Sequence, residues 1–264
     1  MKNTICLSIV CVFLPFAVQE ANAATLDAGT VRLWDKYVAL TEARIARDVE
    51  NPSRFLSISS TAVRTLLKSG EVYVQRGHVT VADGDEFGVA NGMIHHWAGS
   101  VFIPGVSMQQ LLNWLQDYDH HEGYFKEVEQ SKLLSRDGDT FEIFLRLTKT
   151  QIVTVRYDTN HLVTYRRYSQ TRASSRSVAT QIHEIQNSGN DHGFLWRLNS
   201  YWRFSEEDGG VYVECESISL SRSIPFGLGW LINRYVDSVP RESLRNTLLS
   251  IRGGVSQTAH ATVR

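Results

Sequence analysis

Between residues 131 and 221 the chain carries seven segments of alternating or β-branched character, and the short spacing between them restricts the fold more than any other feature. They run over 131–135, 140–148, 151–157, 161–170, 176–185, 193–204 and 210–221. A parallel neighbour needs a crossover of about a dozen residues or more, so connections this short predict antiparallel hairpins. Upstream, 93–103 reads as a longer strand closed by Pro104 and Gly105, and 71–76 and 79–82 read as shorter ones with a turn at Asp83 and Gly84.

Helical spacing frames this meander. Val31, Trp34, Val38 and Ile45 mark a helix over 30–48 that Asn51 and Pro52 stop, and 61–68 forms a second ending at Gly70. Ser107 and Gln110 form a capping box, after which Leu111, Leu115 and Tyr118 share one face. Near the end, Leu228, Leu231, Ile232 and Tyr235 form one helical piece, and Leu244, Leu248 and Ile251 another, with Pro240 between them. The polar stretch 253–264 is expected to be a flexible tail. The fold class is therefore α+β: a curved antiparallel sheet against a long C-terminal helix, with an N-terminal helical accessory segment.

Residues 1–23 have the order of a secretory signal: a charge at Lys2, an apolar run to Val18, and Ala21-Asn22-Ala23 before the cut. The run falls short of the ~20 residues that span a bilayer, so no stable membrane anchor is expected after cleavage. An exported protein, periplasmic or secreted, follows. Cleavage removes Cys6 and Cys11 and leaves Cys215 alone, so no internal disulfide forms and a mature chain of about 240 residues must hold by its core. A formal net charge of −1 calls for neither nucleic acid nor an anionic membrane as partner.

The hairpin over 193–221 holds the most chemistry. A two-residue turn at Asp208 and Gly209 sets Arg203 opposite Glu214 and Tyr201 opposite Glu216. Alternation puts Arg203, Tyr201, Asn199 and Arg197 on one face, and Phe204, Trp202, Leu198 and Trp196 on the other with Val213 and Cys215. The polar face has two readings: cross-strand pairs in contact with solvent, or paired charges turned into a cavity to orient a ligand.

His95-His96 and His120-His121 do not make a metal site. Neighbours on a strand diverge, no His-Glu-x-x-His occurs, and no second cysteine survives cleavage. Cys215 alternates with Val211 and Val213 as a core residue, and Gly227-Leu-Gly229 lacks the rest of a phosphate loop. No cofactor is expected.

The strand 94–104, the helix through 111–119, Ser200 to Phe204, Gly210 to Glu216 and the closing 224–248 together resemble the START-like, or helix-grip, superfamily of polyketide cyclase and lipid-transfer relatives, in particular its uncharacterised exported bacterial members. The likeness spans 93–252 and leaves 24–92 as the accessory segment. It implies a hydrophobic cavity between the sheet and the last helix, and apolar concavities are the usual small-ligand sites. A hydrophobic small molecule or lipid is the expected ligand, with Tyr201, Arg203, Glu214, Glu216, Trp202, Trp230 and Tyr235 as candidate contacts. Two other readings stay open: a cyclase- or hydrolase-type enzyme using Glu214 or Glu216 with a raised pKa, and an envelope interaction module docking through its first helices.

Export carries its own check: sequencing the amino terminus of protein recovered from its producing cell should read from Ala24, and an intact Met1 would overturn it.

Overall fold

The computed structural model describes residues 26–58, 60–78, 92–150, 154–185, 194–222 and 229–262, with side chains in the last stretch from 238 to 259. Helices α1 (Ala28–Val49) and α2 (Thr61–Lys68) come first, then strand β1 (Tyr73–Arg76). Strand β2 (Gly92–Pro104) leads into helix α3 (Met108–Leu115) and a 3-10 turn at Tyr118–His120. The meander follows as β3 (Val128–Asp137), β4 (Thr140–Thr150), β5 (Thr154–Arg167), β6 (Arg172–Ile185), β7 (Arg197–Glu207) and β8 (Gly210–Arg222). Helix α4 (Gly229–Thr262) closes the chain. The strand expected over 79–82 and its turn at Asp83 lie outside the described residues, as does the leader.

All strands join one sheet in the order β1-β2-β8-β7-β6-β5-β4-β3, antiparallel throughout. Helix α4 packs on one face, here called inner, which gives the α+β helix-grip arrangement that the START-like resemblance implies. Close approach is possible because Gly99 of β2 has no side chain where Leu244 and Leu248 arrive. Val101, Ile103, Val211, Val213, Phe204 and Ile251 complete a dry core.

Local signals explain most element starts. The Asp27 carboxylate accepts from Gly29 N and Thr30 N to cap α1. Ser107 and Gln110 form the expected box at α3. Asp208 and Gly209 both have positive φ, 58° and 76°, which is the turn chemistry that fixes the β7–β8 register. That register is as expected, with Arg203 opposite Glu214 and Tyr201 opposite Glu216.

Four expectations need correction. The two segments expected over 151–157 and 161–170 meet in the single strand β5 across 154–167, because Arg146 clamps Asp158 at 2.7 and 2.8 Å and Thr159 Oγ1 donates to Leu145 O. Their polar residues stay in the ladder, and a bulge between Asn160 and His161 absorbs the irregularity. The two C-terminal helices are one, with Pro240 inside α4. An internal proline costs about 3 kcal/mol, which the buried Leu244, Leu248, Ile251 and Val255, at about 1.5–3 kcal/mol each, outweigh. The stretch expected as a flexible tail is helical to Thr262, since Val255 is buried and Gly254 lies against the Trp114 ring. Finally, Trp196 precedes β7 and packs with Trp34, Tyr37 and Tyr201, away from Trp202 and Phe204.

The adjacent glycines of α4 should respond in opposite ways to alanine. At Gly254 an added Cβ would overlap the rigid Trp114 ring, so Gly254→Ala should lower stability by about 1–3 kcal/mol in urea unfolding. Gly253 faces open space, and Gly253→Ala should raise stability by about 0.5–1 kcal/mol through helix propensity alone. Equal effects at the two positions would show that α4 does not sit on Trp114.

Candidate functional site

The face of the sheet opposite α4 is covered as well. Helix α1 lays Trp34 and Tyr37 over Tyr201, Ile218 and Leu220, while Phe55, Leu56, Ile58 and Leu67 cover Phe102 and Tyr212. Arg203, Tyr201, Glu214 and Glu216 point into this outer seam. Arg203 is 2 % exposed, Glu214 1 % and Glu216 4 %, so the polar face is neither open to solvent nor turned toward α4. Both orientations read from the sequence assumed that only one face would be covered.

Within the seam the charges are matched by protein groups. Arg203 Nη2 lies 2.5 Å from Glu214 Oε1 and 3.5 Å from Glu216 Oε2. Glu214 also accepts from Ser57, from its N–H at 3.0 and 3.1 Å and from its hydroxyl at 2.6 Å. Glu216 meets His96 Nε2 at 2.7 Å and the Arg44 guanidinium, and His96 Nδ1 meets the Tyr37 hydroxyl at 2.7 Å. Beside this cluster Tyr201 donates to Glu42, which Arg176 also holds. Arg203 Nη1 alone has no acceptor among the described residues.

Burial pulls the Glu216 carboxyl upward, but the hydrogen bond and attraction from His96, with Arg44 and Arg203, outweigh it and bring the pKa down to about 2 from 4.5. Burial pushes the Tyr201 phenol well above its ordinary value. An acid/base role for Glu216 needed the opposite shift, so the cluster has the chemistry of a fastener between α1 and the sheet. Its partners Tyr37, Arg44 and Ser57 were not foreseen. The available signal was a polar stripe on α1, with Tyr37, Thr41, Arg44 and Asp48 spaced at i, i+4, i+7 and i+11.

The inner face divides into two halves. Toward α3 it is solid, with Val101, Ile103, Val211 and Val213 at 0 % exposure. Toward the start of α4 it turns small and polar: Ser177, Ser200 and Ser217 are half-buried, among half-buried Trp97, Leu145, Leu147, Ile182, Leu198 and Trp202. His161 stands there beside Thr159 Oγ1 at 3.0 Å and Ser177 Oγ at 3.4 Å, and burial alone lowers its pKa from 6.5 to about 4, which keeps the ring neutral near pH 7. Trp202 belongs to this face, and Trp230 and Tyr235 lie in the first turns of α4, with side chains outside the described residues. Of the candidate contacts whose side chains are described, Trp202 faces inward, and Tyr201, Arg203, Glu214 and Glu216 form a cluster separate from the inner face.

The remaining singled-out residues are internally satisfied. His95 turns inward to Ser221 Oγ at 2.9 Å while His96 turns outward, as strand alternation requires. His121 stacks on Trp114, and His120 pairs with Asp117 on the surface. Burial raises the Cys215 thiol well above its ordinary pKa, so it is an inert core residue. Among the described residues no helix is long and apolar enough to cross a membrane.

No protein-family model matches the chain, and no curated protein matches it. Solved structures of similar arrangement exist. The Thermus thermophilus protein TTHA0849 is 17 % identical at a TM-score of 0.48, covering 61 % of this chain and 97 % of its own. A fragment of the STAR-related lipid transfer protein of Xanthomonas axonopodis is 18 % identical at a TM-score of 0.48, covering 63 % and 94 %. The Zhui aromatase/cyclase of Streptomyces sp. R1128 is 12 % identical at a TM-score of 0.42, covering 63 % and 96 %.

Removing one member of the outer cluster strands the others. Arg203→Leu should cost about 3–5 kcal/mol in urea unfolding, and the double variant Arg203→Leu with Glu214→Leu should recover part of that loss. Strict additivity would show that the two do not act as a buried pair. The lowered pKa of Glu216 also fixes a sign: its stabilisation is fully present above pH 4.5 and is lost as pH falls toward about 2. Glu216→Gln should flatten that acid limb of the stability profile.

Proposed function

We propose that the protein binds a hydrophobic small molecule or lipid between the inner face of its sheet and the first half of α4, and that it does so after export. The observation that carries the reading is the change of texture along the inner face. Strand positions that point at α4 are sealed by aliphatic side chains at one end and left half-buried, with serines among apolar neighbours, at the other. Small side chains on a curved sheet leave volume unfilled, and apolar volume with a few polar groups is where small molecules bind.

The lining chemistry favours an uncharged or weakly polar guest. Leu145, Leu147, Ile182, Trp97 and Trp202 supply apolar contact, and neutral His161 with the hydroxyls of Ser177, Ser200 and Ser217 supplies hydrogen bonds without a cation. Burying apolar atoms there gains about 25 cal/mol per Å² before ordering costs. Trp230 and Tyr235, on the covering stretch of α4, remain the proposed contacts from the helix side.

Two measurements test this reading. Native mass spectrometry of the purified protein should reveal a copurified apolar molecule that organic solvent removes. Ser217→Trp places a large ring in the proposed hollow, so it should abolish that adduct while changing stability by less than about 1 kcal/mol. If Ser217→Trp unfolds the protein and no adduct is ever seen, the interior is solid and the reading fails.

A further inference from the structure

The sheet has two ends, and they differ in length. At one end β1 has four residues. At the other β3 runs for ten, from Val128 to Asp137, and no strand adjoins its far side among the described residues. A long strand in that position offers a row of amide N–H and carbonyl groups to any extended chain. Here two of the amides are already taken. Ser131 N donates to Glu122 Oε1 at 3.2 Å and Leu133 N donates to Asp119 Oδ1 at 2.9 Å. Residues two apart on a strand direct their amides to the same side, so these are successive donors of one edge, each facing a carboxylate.

Core anchors place those carboxylates. Tyr118 and His121 are both 6 % exposed, the first through its hydroxyl on Tyr165 at 2.8 Å and the second with its ring stacked on Trp114. The residue after each, Asp119 and Glu122, is exposed and reaches the strand. Satisfying the two amides does not require this arrangement. The two carboxylates are open to solvent, so water can serve the same donors and the net gain over water is small. What a carboxylate adds is two negative acceptor oxygens where an incoming strand would place its own carbonyl, and two acceptors cannot share one amide without repulsion. Bulges between Val128 and Gln130 and between Leu133 and Ser135 flank the guarded stretch. Leu134, at the second bulge, is 45 % exposed and is the apolar side chain that strand addition would cover.

We infer that Asp119 and Glu122 hold the β3 edge closed to strand addition, and that the partner they exclude is a second copy of this chain. A second copy fits because two-fold antiparallel pairing sets β3 against itself, so each protomer supplies the same ten-residue strand and the same exposed Leu134. An identical strand is also present wherever the protein is, at the full protein concentration. Four residues at β1 make too short a row for the same pairing. His121 acquires a part in this device as the anchor beside Glu122, while His120 pairs with Asp117 and touches neither amide. The inference is independent of what the inner face binds.

Size-exclusion chromatography with light scattering, run over a wide range of protein concentration, tests the inference on the whole protein. Wild type should keep the mass of one chain. Asp119→Ala with Glu122→Ala should double that mass as concentration rises, and Asp119→Ala alone, the milder variant should the pair disturb folding, should do so at higher concentration. Asp117→Ala, a neighbouring carboxylate that meets neither amide, should behave as wild type. Adding Leu134→Lys to the double variant should return it to one chain, because an inserted charge blocks edge pairing. Residue-resolved hydrogen exchange locates the contact: in the double variant the amides of Ser131 and Leu133 should exchange fast when dilute and slowly when concentrated. The inference is overturned if wild type associates as readily as the variants, if variants with native far-UV dichroism stay single chains throughout, or if the mass doubles while those two amides exchange at a constant rate.

Discussion

An arginine at 2 % exposure between two buried carboxylates governs how this protein is put together. Removing such charges from water costs several kcal/mol per ion, and only close partners and complete hydrogen bonding offset that cost. Glu214 and Glu216 come from the neighbouring strand, but the groups that complete them, Ser57, Arg44 and the Tyr37–His96 pair, lie outside the hairpin. The segment over 28–58 is thus a structural requirement of the sheet.

Covering both faces separates two kinds of chemistry. The inner face meets α4 with aliphatic side chains where the helix is anchored, through Gly99, Leu244 and Leu248, and with serines and neutral His161 where its first half begins. The outer face is held by polar contacts that demand specific partners. Apolar packing tolerates rearrangement at modest cost, whereas a buried ion cluster with one wrong partner does not. The half-buried inner positions therefore lie on one face of a sheet whose geometry is held from the other.

Much of the architecture was legible because it rests on short-range signals. The Asp208-Gly209 turn fixed the pairing of Arg203 with Glu214, the Ser107–Gln110 box fixed the start of α3, and hairpin-length gaps fixed an antiparallel sheet. What was not legible depends on contacts remote in sequence. Ser57 is 157 residues from Glu214, and no local pattern announces that its amide will face that carboxylate. The continuity of α4 through Pro240 is of the same kind, since local propensity argues for a break and burial of Leu244 and Leu248 decides against it. Polar alternation on β7 and β8 was read correctly as one face, but alternation does not say what covers a face.

The two faces are linked through β8, where Val213 and Cys215 point inward and Glu214 and Glu216 outward. Side chains on a strand alternate with a period of two, so a slip of one residue would move both glutamates beneath Leu244 and Leu248 and turn the valine and cysteine toward Ser57 and His96. Each face would then be wrong, and the buried carboxylates would have neither Arg44 nor the Ser57 amide within reach. The ion cluster therefore bears on register as well as on stability, because its favourable contacts offset the desolvation cost in the native pairing and are lost in any other. On that account the charges under α1 also determine which side chains β8 presents to α4, and so the shape of the space between them.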